Sequence, residues 1–419
     1  MQPSPGGVRL VDPVGGQVWV STAQSLVDWE LAPGASELGG VPFGAVGVEA
    51  VTVMLPQAGF VEVQVQARQE AEGSLGEGVD LDALLEAVGH DPELAEPVAL
   101  ERFTTALDQS SDTLRTEESV TVNVAGDVTF DSDSAALSAQ ADAVLESVAV
   151  QVESFPDGGS LTITGHTDDV AEDAYNQTLS EQRAQAVADR LGSLTDLSAW
   201  QVSVSGKGET QPRVADTSEE ARAANRRVEV VVTPTGGAGA QGSSSGSGEL
   251  PEPQGPVATG AQGVTVDWPD GDGGQVIIRL PQVVRRGGYL FGEVEVTGGT
   301  GGSVQLLGVW FSPPDGAAGN PRQEDDTWTE SLRVTDGLTL AADGQRLYVA
   351  DYMSAAKDVH LSLTELDNNE ELAEGMTTTL CAVWPDTDQD TVTLDFGTSD
   401  EPGATNRPWR LTDIPVTEA

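Results

Sequence analysis

Lysine is nearly absent from this chain: only Lys207 and Lys357 occur among 419 residues. Arginine supplies the remaining cations, and 20 basic residues stand against 68 acidic ones, which gives a formal net charge of −48. Nucleic acids and anionic membrane surfaces are bound by basic faces, so this composition argues against both partners. Solubility through charge repulsion is the simplest interpretation. Cation binding by an acidic loop such as Asp386 to Asp390 is the alternative.

Cysteine and long apolar runs are also scarce. Cys381 is the single cysteine, so no disulfide can form within the chain, and its apolar surroundings predict a small buried side chain in a strand. No run of about 18 apolar residues is present, so we predict no transmembrane helix. The first seven residues lack the basic and apolar regions of a secretory leader. Export would then require a leader that was trimmed and replaced by Met1, or a lipoprotein leader removed with its lipidated cysteine.

Several catalytic signatures are missing as well. The chain has no His-Glu-x-x-His, Walker or Cys-x-x-Cys motif. Its three histidines are His90, His166 and His360, and none stands in a pattern that indicates a nucleophile pair or a metal site. We therefore predict a protein that is not an enzyme and has no metal or cofactor.

The most informative stretch lies between residues 161 and 194. Leu161, Ile163 and Gly165 alternate with threonines, which predicts a short strand that runs into a Thr-Asp-Asp loop. Apolar residues then recur at helical spacing and predict an amphipathic helix over 178–194. These residues are Leu179, Val187, Leu191 and Leu194.

Arg183 lies within or beside the apolar face of this predicted helix, four residues from both Leu179 and Val187. A guanidinium stays charged and costs several kcal/mol to bury without an anion. Asp168, just past the strand end, is either an internal ion-pair partner of Arg183, a helix cap, or a second site residue. In the last case Arg183 would bind a ligand carboxylate and Asp168 a ligand ammonium.

These residues resemble the C-terminal domain of the OmpA-like family, a bacterial envelope module that holds peptidoglycan. Two motifs carry most of the resemblance, Thr167-Asp168 and the Leu-Ser-x-x-Arg-Ala motif at 179–184. Further motifs are Phe130-Asp131, Tyr175-Asn176, Gly206-Lys-Gly-Glu-Thr-Gln-Pro212 and Asn225-Arg-Arg-Val-Glu229. The resemblance extends over 118–234 and says nothing about the rest of the chain.

The resemblance implies that Asp168 and Arg183 grip the α-amino and α-carboxylate groups of diaminopimelate in the peptidoglycan stem peptide. The same motifs assign further site residues, which are Thr167, Asn176, Asp131, Leu179, Asn225, Arg226 and Arg227. The last three could instead satisfy acidic residues of the sheet. We interpret His166 as part of the pocket rim. Ala171 stands where the family usually has glycine, and alanine tolerates a left-handed backbone poorly, so this loop could follow another path.

Strands and helices alternate through the central residues, which predicts a mixed sheet with helices on one face, in agreement with the family's βαβαβ order. We therefore predict a multidomain fold in which a central α/β module is flanked by β-rich parts. The predicted parts are a β-rich N-terminal region (1–75), a helical connector (76–117) with helices over 80–88 and 97–107, the OmpA-like domain (118–234), a flexible Gly/Ser/Pro linker (235–260) and a β-sandwich (261–419).

Together these features predict a non-catalytic protein of the cell envelope, exported and either secreted or anchored as a lipoprotein. It would bind peptidoglycan non-covalently through diaminopimelate and anchor or display its flanking β-domains, which could contact other envelope proteins. The alternative is an extracellular adhesion or assembly protein whose C-terminal β-sandwich binds a protein or glycan, with wall binding secondary. A cell-wall hydrolase would need catalytic acids that no motif marks.

Overall fold

A computed structural model of the chain describes residues 8–20, 40–74, 80, 82–83, 96–131, 133–239, 246–268, 274–305, 322, 337–354, 359–363, 371–397 and 408–419. Within these ranges the protein is β-rich, with a central α/β module and few helices elsewhere. No helix in these ranges is long and apolar enough to cross a membrane.

The described N-terminal part consists mostly of strands, as the alternating patterns predict. Its elements are β1 (Arg9–Asp12), β2 (Gln17–Val20), β3 (Ala50–Leu55), β4 (Gly59–Gln64), α1 (Arg68–Ser74), β5 (Val98–Ala106) and β6 (Ser111–Arg115). Antiparallel pairing joins β1 to β2 and β3, and β3 to β4. The helix predicted over 80–88 lies largely outside the described residues.

The predicted helix over 97–107 is wrong, because these residues form strand β5. This strand pairs with β2 and with β6. Leu100 and Phe103 have the spacing of one helix face, but Thr104 is buried as well. The buried face of this strand includes the polar residues Arg102 and Thr104, so its apolar residues do not alternate along the sequence.

The central module contains the predicted mixed sheet. Its elements are β7 (Val120–Ala125), α2 (Gly126–Thr129), α3 (Ala141–Glu153), β8 (Gly159–Gly165), α4 (Asp173–Leu194), β9 (Trp200–Gly206), α5 (Glu219–Asn225) and β10 (Arg227–Pro234). β10 pairs antiparallel with both β7 and β8, and β8 pairs parallel with β9. Helix α4 begins before the predicted residue 178, because Asp173 places a negative charge in its first turn, where the helix dipole favours it.

The core of the central module lies between this sheet and the helices α3 and α4. The sheet contributes alternate residues of β7, β8 and β10, and the helices contribute the residues at their 3.6-residue spacing. The core residues include Val122, Ile163, Val230, Leu145, Val148, Val187 and Leu191. Helix α4 is thereby fixed across the sheet, with its first turns at the strand ends.

The C-terminal part shows the many short strands predicted from its alternating sequence. They are β11 (Val257–Thr259), β12 (Val264–Asp267), β13 (Gln275–Arg279), β14 (Val283–Arg286), β15 (Tyr289–Gly298), β16 (Val304–Gln305), β17 (Thr339–Ala342), β18 (Gln345–Leu347), β19 (Asp351–Ser354), β20 (Val359–Ser362), β21 (Glu371–Leu372), β22 (Thr377–Pro385), β23 (Thr391–Phe396) and β24 (Trp409–Glu418). The β-sandwich arrangement stays a prediction. Cys381 lies buried in β22, where burial raises the pKa of its thiol to about 12.

The N-terminal and C-terminal strands share one hydrophobic core. Two separate flanking domains would each have a core of their own. Strand β5 pairs antiparallel with both β18 and β19. Val11 and Leu100 from the N-terminal part pack in one cluster with Phe291, Tyr352 and Val383 from the C-terminal part. We call this unit, the described residues of 8–115 and 257–419, the flanking body. The central module is inserted between its two halves.

The stretch 235–260 differs from the flexible linker that its composition predicts. Ala238 N donates to Glu117 O at 2.7 Å, and Gly246 N donates to Asp343 O at 3.0 Å. The described ends of this stretch are therefore docked on neighbouring turns. The Gly- and Ser-rich composition of this stretch predicts that it has no hydrophobic core of its own. It does not reveal the backbone hydrogen-bond partners that other parts of the chain provide.

The central module enters and leaves the flanking body at one place. Strand β6 of the flanking body pairs with β7, so the two sheets are continuous there. At the exit, the buried side chain of Arg102 donates from Nη2 to Gly239 O at 2.8 Å, and its guanidinium lies 5.1 Å from the centre of the Tyr289 ring. Entry and exit therefore form a double connection rather than a single flexible joint.

Candidate functional site

The candidate site forms where β8 ends and α4 begins. A Cβ atom on Gly165 would lie 2.1 Å from the carbonyl oxygen of Ser180, so glycine allows the helix to cross the strand this closely. Beyond it, His166 N donates to Arg227 O at 2.9 Å and Thr167 N donates to Gly208 O at 3.0 Å. These backbone bonds fix the loop that presents Asp168.

Asn176 holds the same loop from the side of α4. Its buried Nδ2 donates to Asp168 O at 3.1 Å and to Glu209 Oε2 at 2.6 Å. Asn176 therefore joins two loops of the site, and its assignment as a ligand contact stays a prediction. Ala171 is not among the residues with positive φ, so the loop accommodates it without left-handed strain.

Arg183 is the buried cation of the site. Its side chain lies on α4 with 6% of its surface exposed. Nε donates to Ser134 O at 3.0 Å, and the guanidinium carbon lies 5.1 Å from the centre of the Phe130 ring. Among the described residues Arg183 forms no ion pair. Burial lowers its pKa, and the nearby charge of Asp127 is the first to oppose this.

Asp168 is bound by Arg226, not by Arg183. Arg226 Nη1 donates to Asp168 Oδ2 at 2.7 Å. The same guanidinium grips Asp127 with Nε and Nη2, both at 2.7 Å, and donates to Glu219 Oε1 at 2.9 Å. Hydrogen bonds to Asp127, then those to Asp168 and Glu219, raise the pKa of Arg226. Asp168 and Arg183 form no ion pair with each other among the described residues, and the assignment of Arg226 as a ligand contact stays a prediction.

The strand directions explain this meeting of charges. β7 and β8 both run antiparallel to β10, so their carboxyl ends lie at the edge where β10 starts. Asp127 follows β7, Asp168 follows β8, and Arg226 directly precedes β10 between them. The sequence reasoning missed Asp127 and Glu219. The signal for Asp127 was available, since it is a charged residue just past a strand.

Asn225 and Arg227 flank Arg226 in the sequence, beside the site. Asn225 is buried, and its Oδ1 accepts from Arg213 N at 2.7 Å and Val214 N at 3.0 Å. Among the described residues, the Arg227 side chain makes long hydrogen bonds of 3.5 Å, to Asn225 O and Gln211 O. Asn225 therefore shapes a neighbouring loop, and the assignment of Arg227 to the site stays a prediction.

The remaining predicted site residues differ in exposure. Leu179 is buried in α4 next to Asn176, whereas Asp131 is exposed to solvent. Thr167 Oγ1 is buried and has no hydrogen-bond partner among the described residues. It is thus a polar atom at the site with unused bonding capacity.

His166 lies beneath the site loop rather than at its rim, because only 2% of its surface is exposed. Burial is the main cause that lowers the pKa of His166 to about 4, and the positive charges of Arg227 and Lys207 act in the same direction. A contact with the Gln211 backbone acts in the opposite direction. The imidazole is therefore neutral near pH 7. The interpretation of His166 as a rim residue is wrong.

One group of metal-type ligands occurs in the flanking body. Ligand atoms of Glu101, Asp351 and His360 lie within 4.8 Å of one another. Arg322 contacts all three side chains, forming ion pairs with Glu101 and Asp351 and a hydrogen bond with His360. A guanidinium thus already balances these carboxylates, and the group lies outside the central module.

The acidic loop at 386–390, which was the alternative candidate for cation binding, forms an ion pair with Arg285. Arg285 Nε donates to Asp386 Oδ1 at 2.9 Å, and Arg285 Nη2 donates to Thr387 O at 2.7 Å. Arg285 also joins this loop to Glu418 of the last strand. Arg285 therefore holds β14, the loop and β24 together.

Residues 129–226 match the OmpA family. The central module is an OmpA-family domain. The chain is 40% identical over 111 residues to outer membrane porin F of Pseudomonas aeruginosa, with 26% of this chain and 31% of that protein covered. It is 36% identical over 116 residues to outer membrane protein A of Escherichia fergusonii, with 25% of this chain and 47% of that protein covered.

A solved structure of the cell wall anchor of the T6SS from Pseudomonas aeruginosa is similar to part of this chain. Its sequence identity is 32% and the TM-score is 0.27, with 30% of this chain and 90% of that chain covered. The chain spans less than half of the length of the two curated relatives. The family match at 129–226 lies within the central module.

Proposed function

We propose that the OmpA-family domain binds peptidoglycan non-covalently, through the diaminopimelate of the stem peptide. The observation that supports this most directly is Arg183, a guanidinium with 6% exposure and no ion pair among the described residues. A buried cation of this kind is stabilised by an anion, and a ligand carboxylate can accept its remaining Nη donors in a planar fork.

Asp168 supplies the complementary charge. Its side chain is 16% exposed, and only Oδ2 is occupied by Arg226. Oδ1 accepts a longer hydrogen bond of 3.3 Å from Val170 N. An ammonium group can therefore approach Oδ1 while a carboxylate on the same carbon approaches Arg183. The distal end of diaminopimelate carries these two groups together.

The aromatic and acidic surroundings fit such a ligand. The Phe130 ring packs on the Arg183 guanidinium, which restricts its rotation. The charges of Asp127, Asp133 and Asp168 all act on Arg183, so an ammonium beside the ligand carboxylate is favoured. A simple carboxylate would pair with Arg183 but would leave Asp168 Oδ1 without a cation.

The cellular role follows from the family and from the double connection. Relatives of the domain are named as outer membrane proteins, which supports a place in the cell envelope outside the cytoplasm. A wall-bound domain would hold the flanking body close to the wall, because both chain segments between them are hydrogen bonded. The protein would thus anchor or display the flanking body without catalysing a reaction, either secreted or as a lipoprotein.

Sedimentation with purified sacculi tests this proposal. The full chain should pellet with sacculi that contain diaminopimelate, and a soluble stem peptide ending in diaminopimelate should release it. A chain that is folded by circular dichroism but stays in the supernatant would contradict the proposal, and would favour the adhesion alternative.

A further inference from the structure

Arg226 occupies an unusual position at the site. It is the only residue between α5 and β10, and its guanidinium reaches three carboxylates, those of Asp127, Asp168 and Glu219. Its side chain is 19% exposed. With its donors engaged in this way, Arg226 is poorly placed to receive a ligand carboxylate, yet it touches the carboxylate on which ligand binding depends.

The site contains a competing arrangement. Asp168 and Arg183 carry opposite charges, and the charge of Asp168 already acts on Arg183. If the two side chains met, each would satisfy the other, and neither would be available to a ligand. An ion pair in a partly buried place gains from the lower local dielectric, so this collapse would be favourable if nothing opposed it.

We propose that Arg226 is a positioning residue that holds Asp168 away from Arg183, so that a zwitterionic head group can bind between them. The biological meaning of this role rests on the proposed function, whereas the role itself is inferred from the hydrogen bonds of Arg226. Arg226 binds Asp168 Oδ2 with Nη1 and is itself fixed by two hydrogen bonds to Asp127.

Arginine suits this task because of its rigid fork. Nε and Nη2 of the planar guanidinium donate to Asp127, and its third nitrogen, Nη1, donates to Asp168. A lysine ammonium is a single point charge on a flexible stem and cannot hold both carboxylates in a fixed relative position. Glu219 adds a more exposed contact, with 73% of its side chain open to solvent, so it is the least important of the three partners.

The test follows the Arg183 Nε–H resonance in full-length protein with labelled arginine. Arg226→Gln should release Asp168 onto Arg183 and move this resonance. Arg226→Gln combined with Asp168→Asn should return the resonance towards its wild-type position, because the released carboxylate is then absent. Glu219→Gln, which removes an Arg226 contact but not the one to Asp168, should leave the resonance unmoved.

Sacculus binding provides the functional readout. Arg226→Gln should weaken binding about tenfold or more, the effect of losing one charge-assisted hydrogen bond at the site. If Arg226→Gln does not fold, Arg226→Lys replaces it, since lysine keeps the charge but cannot span Asp127 and Asp168.

Two results would overturn the positioning role: an Arg183 resonance that is the same in wild type and the folded Arg226 variant, or a moved resonance that Asp168→Asn does not restore. A merely structural role of Arg226 would lower the melting temperature without this restoration. If wild-type protein fails to bind sacculi while the resonance moves and returns, the proposed function fails and the positioning role stands.

Discussion

Arg226 Nη1 donates to Asp168 Oδ2 at 2.7 Å, while Arg183 keeps its guanidinium buried and without an ion pair among the described residues. This arrangement gives the three charged residues separate roles. Arg183 offers a cation to a ligand, Asp168 offers one carboxylate oxygen, and Arg226 fixes that carboxylate. The following predictions test these roles and the way the flanking body is built.

Arg183→Gln should abolish most wall binding without lowering stability. A charge-assisted hydrogen bond contributes about 1.5–3 kcal/mol, so affinity should fall about tenfold to a hundredfold. Stability should be unchanged or higher, because a buried charge without an ion pair is removed. Sacculus sedimentation and thermal melts measure the two effects.

The matched control for this variant is Arg190→Gln on the same helix. Arg190 forms a more exposed ion pair with Asp142 at 2.8 Å and lies outside the site. It should bind sacculi like the wild type. A large drop in melting temperature for Arg183→Gln, with binding retained by the folded fraction, would refute the ligand role.

Asp168→Asn should weaken wall binding by a similar factor and cost little stability. Arg226 would still be held by Asp127 and Glu219, so no buried cation is left unpaired. The control is the adjacent Asp169→Asn, which removes an exposed ion pair with Arg222 at 2.7 Å. Equal binding by the two variants would show that Asp168 does not contact the ligand.

Acid should destabilise the protein partly through His166. Its pKa is lowered from 6.5 to about 4 in the folded chain, so between these values the unfolded chain binds a proton that the folded chain does not. Stability from this residue is therefore fully present above about pH 6.5 and is lost as pH falls towards 4. His166→Phe should flatten the pH dependence of the melting temperature in that window, and an unchanged slope would contradict the assignment.

Leu100→Ala should destabilise the C-terminal strands as well as the N-terminal ones. Leu100 is 1% exposed in the core that both parts share, so the cavity should cost about 2–5 kcal/mol. Because the chain has 8 tryptophans, the protein is labelled with fluorotryptophan, and the 19F resonance of Trp384, buried in the C-terminal part, reports the loss in urea. Val14→Ala, at a residue with 74% exposure, is the control. A Trp384 transition that does not move would mean that the two parts fold separately.

The central module could be predicted from sequence because its signals are local. Strand alternation, helix periodicity and the Thr167-Asp168 and Arg183 motifs all lie within short windows. Periodicity also placed Arg183 in the buried face of α4, which the structure shows. The partner of Asp168 could not be found this way, since Arg226 lies 58 residues away and meets it only through the order of the strands.

The flanking body could not be predicted for a related reason. Strand β5 pairs with β18 and β19, which follow the whole central module in sequence, and no local pattern reports such distant pairing. The buried face of β5 also contains Arg102 and Thr104, so the sequence lacks the alternation of apolar and polar residues that would have marked a strand. The Gly/Ser-rich stretch around Ala238 was interpreted from composition alone, which does not reveal its hydrogen bonds to Glu117.

Titration of the full chain with a soluble stem peptide tests the central claim most directly. Two peptides are compared, identical except that one carries diaminopimelate and the other lysine. Lysine ends in an ammonium alone, whereas diaminopimelate ends in an ammonium and a carboxylate on one carbon, the pair that Asp168 and Arg183 would receive. The account predicts saturable binding of the diaminopimelate peptide and at least about tenfold weaker binding of the lysine peptide. Equal affinities for the two peptides would contradict it.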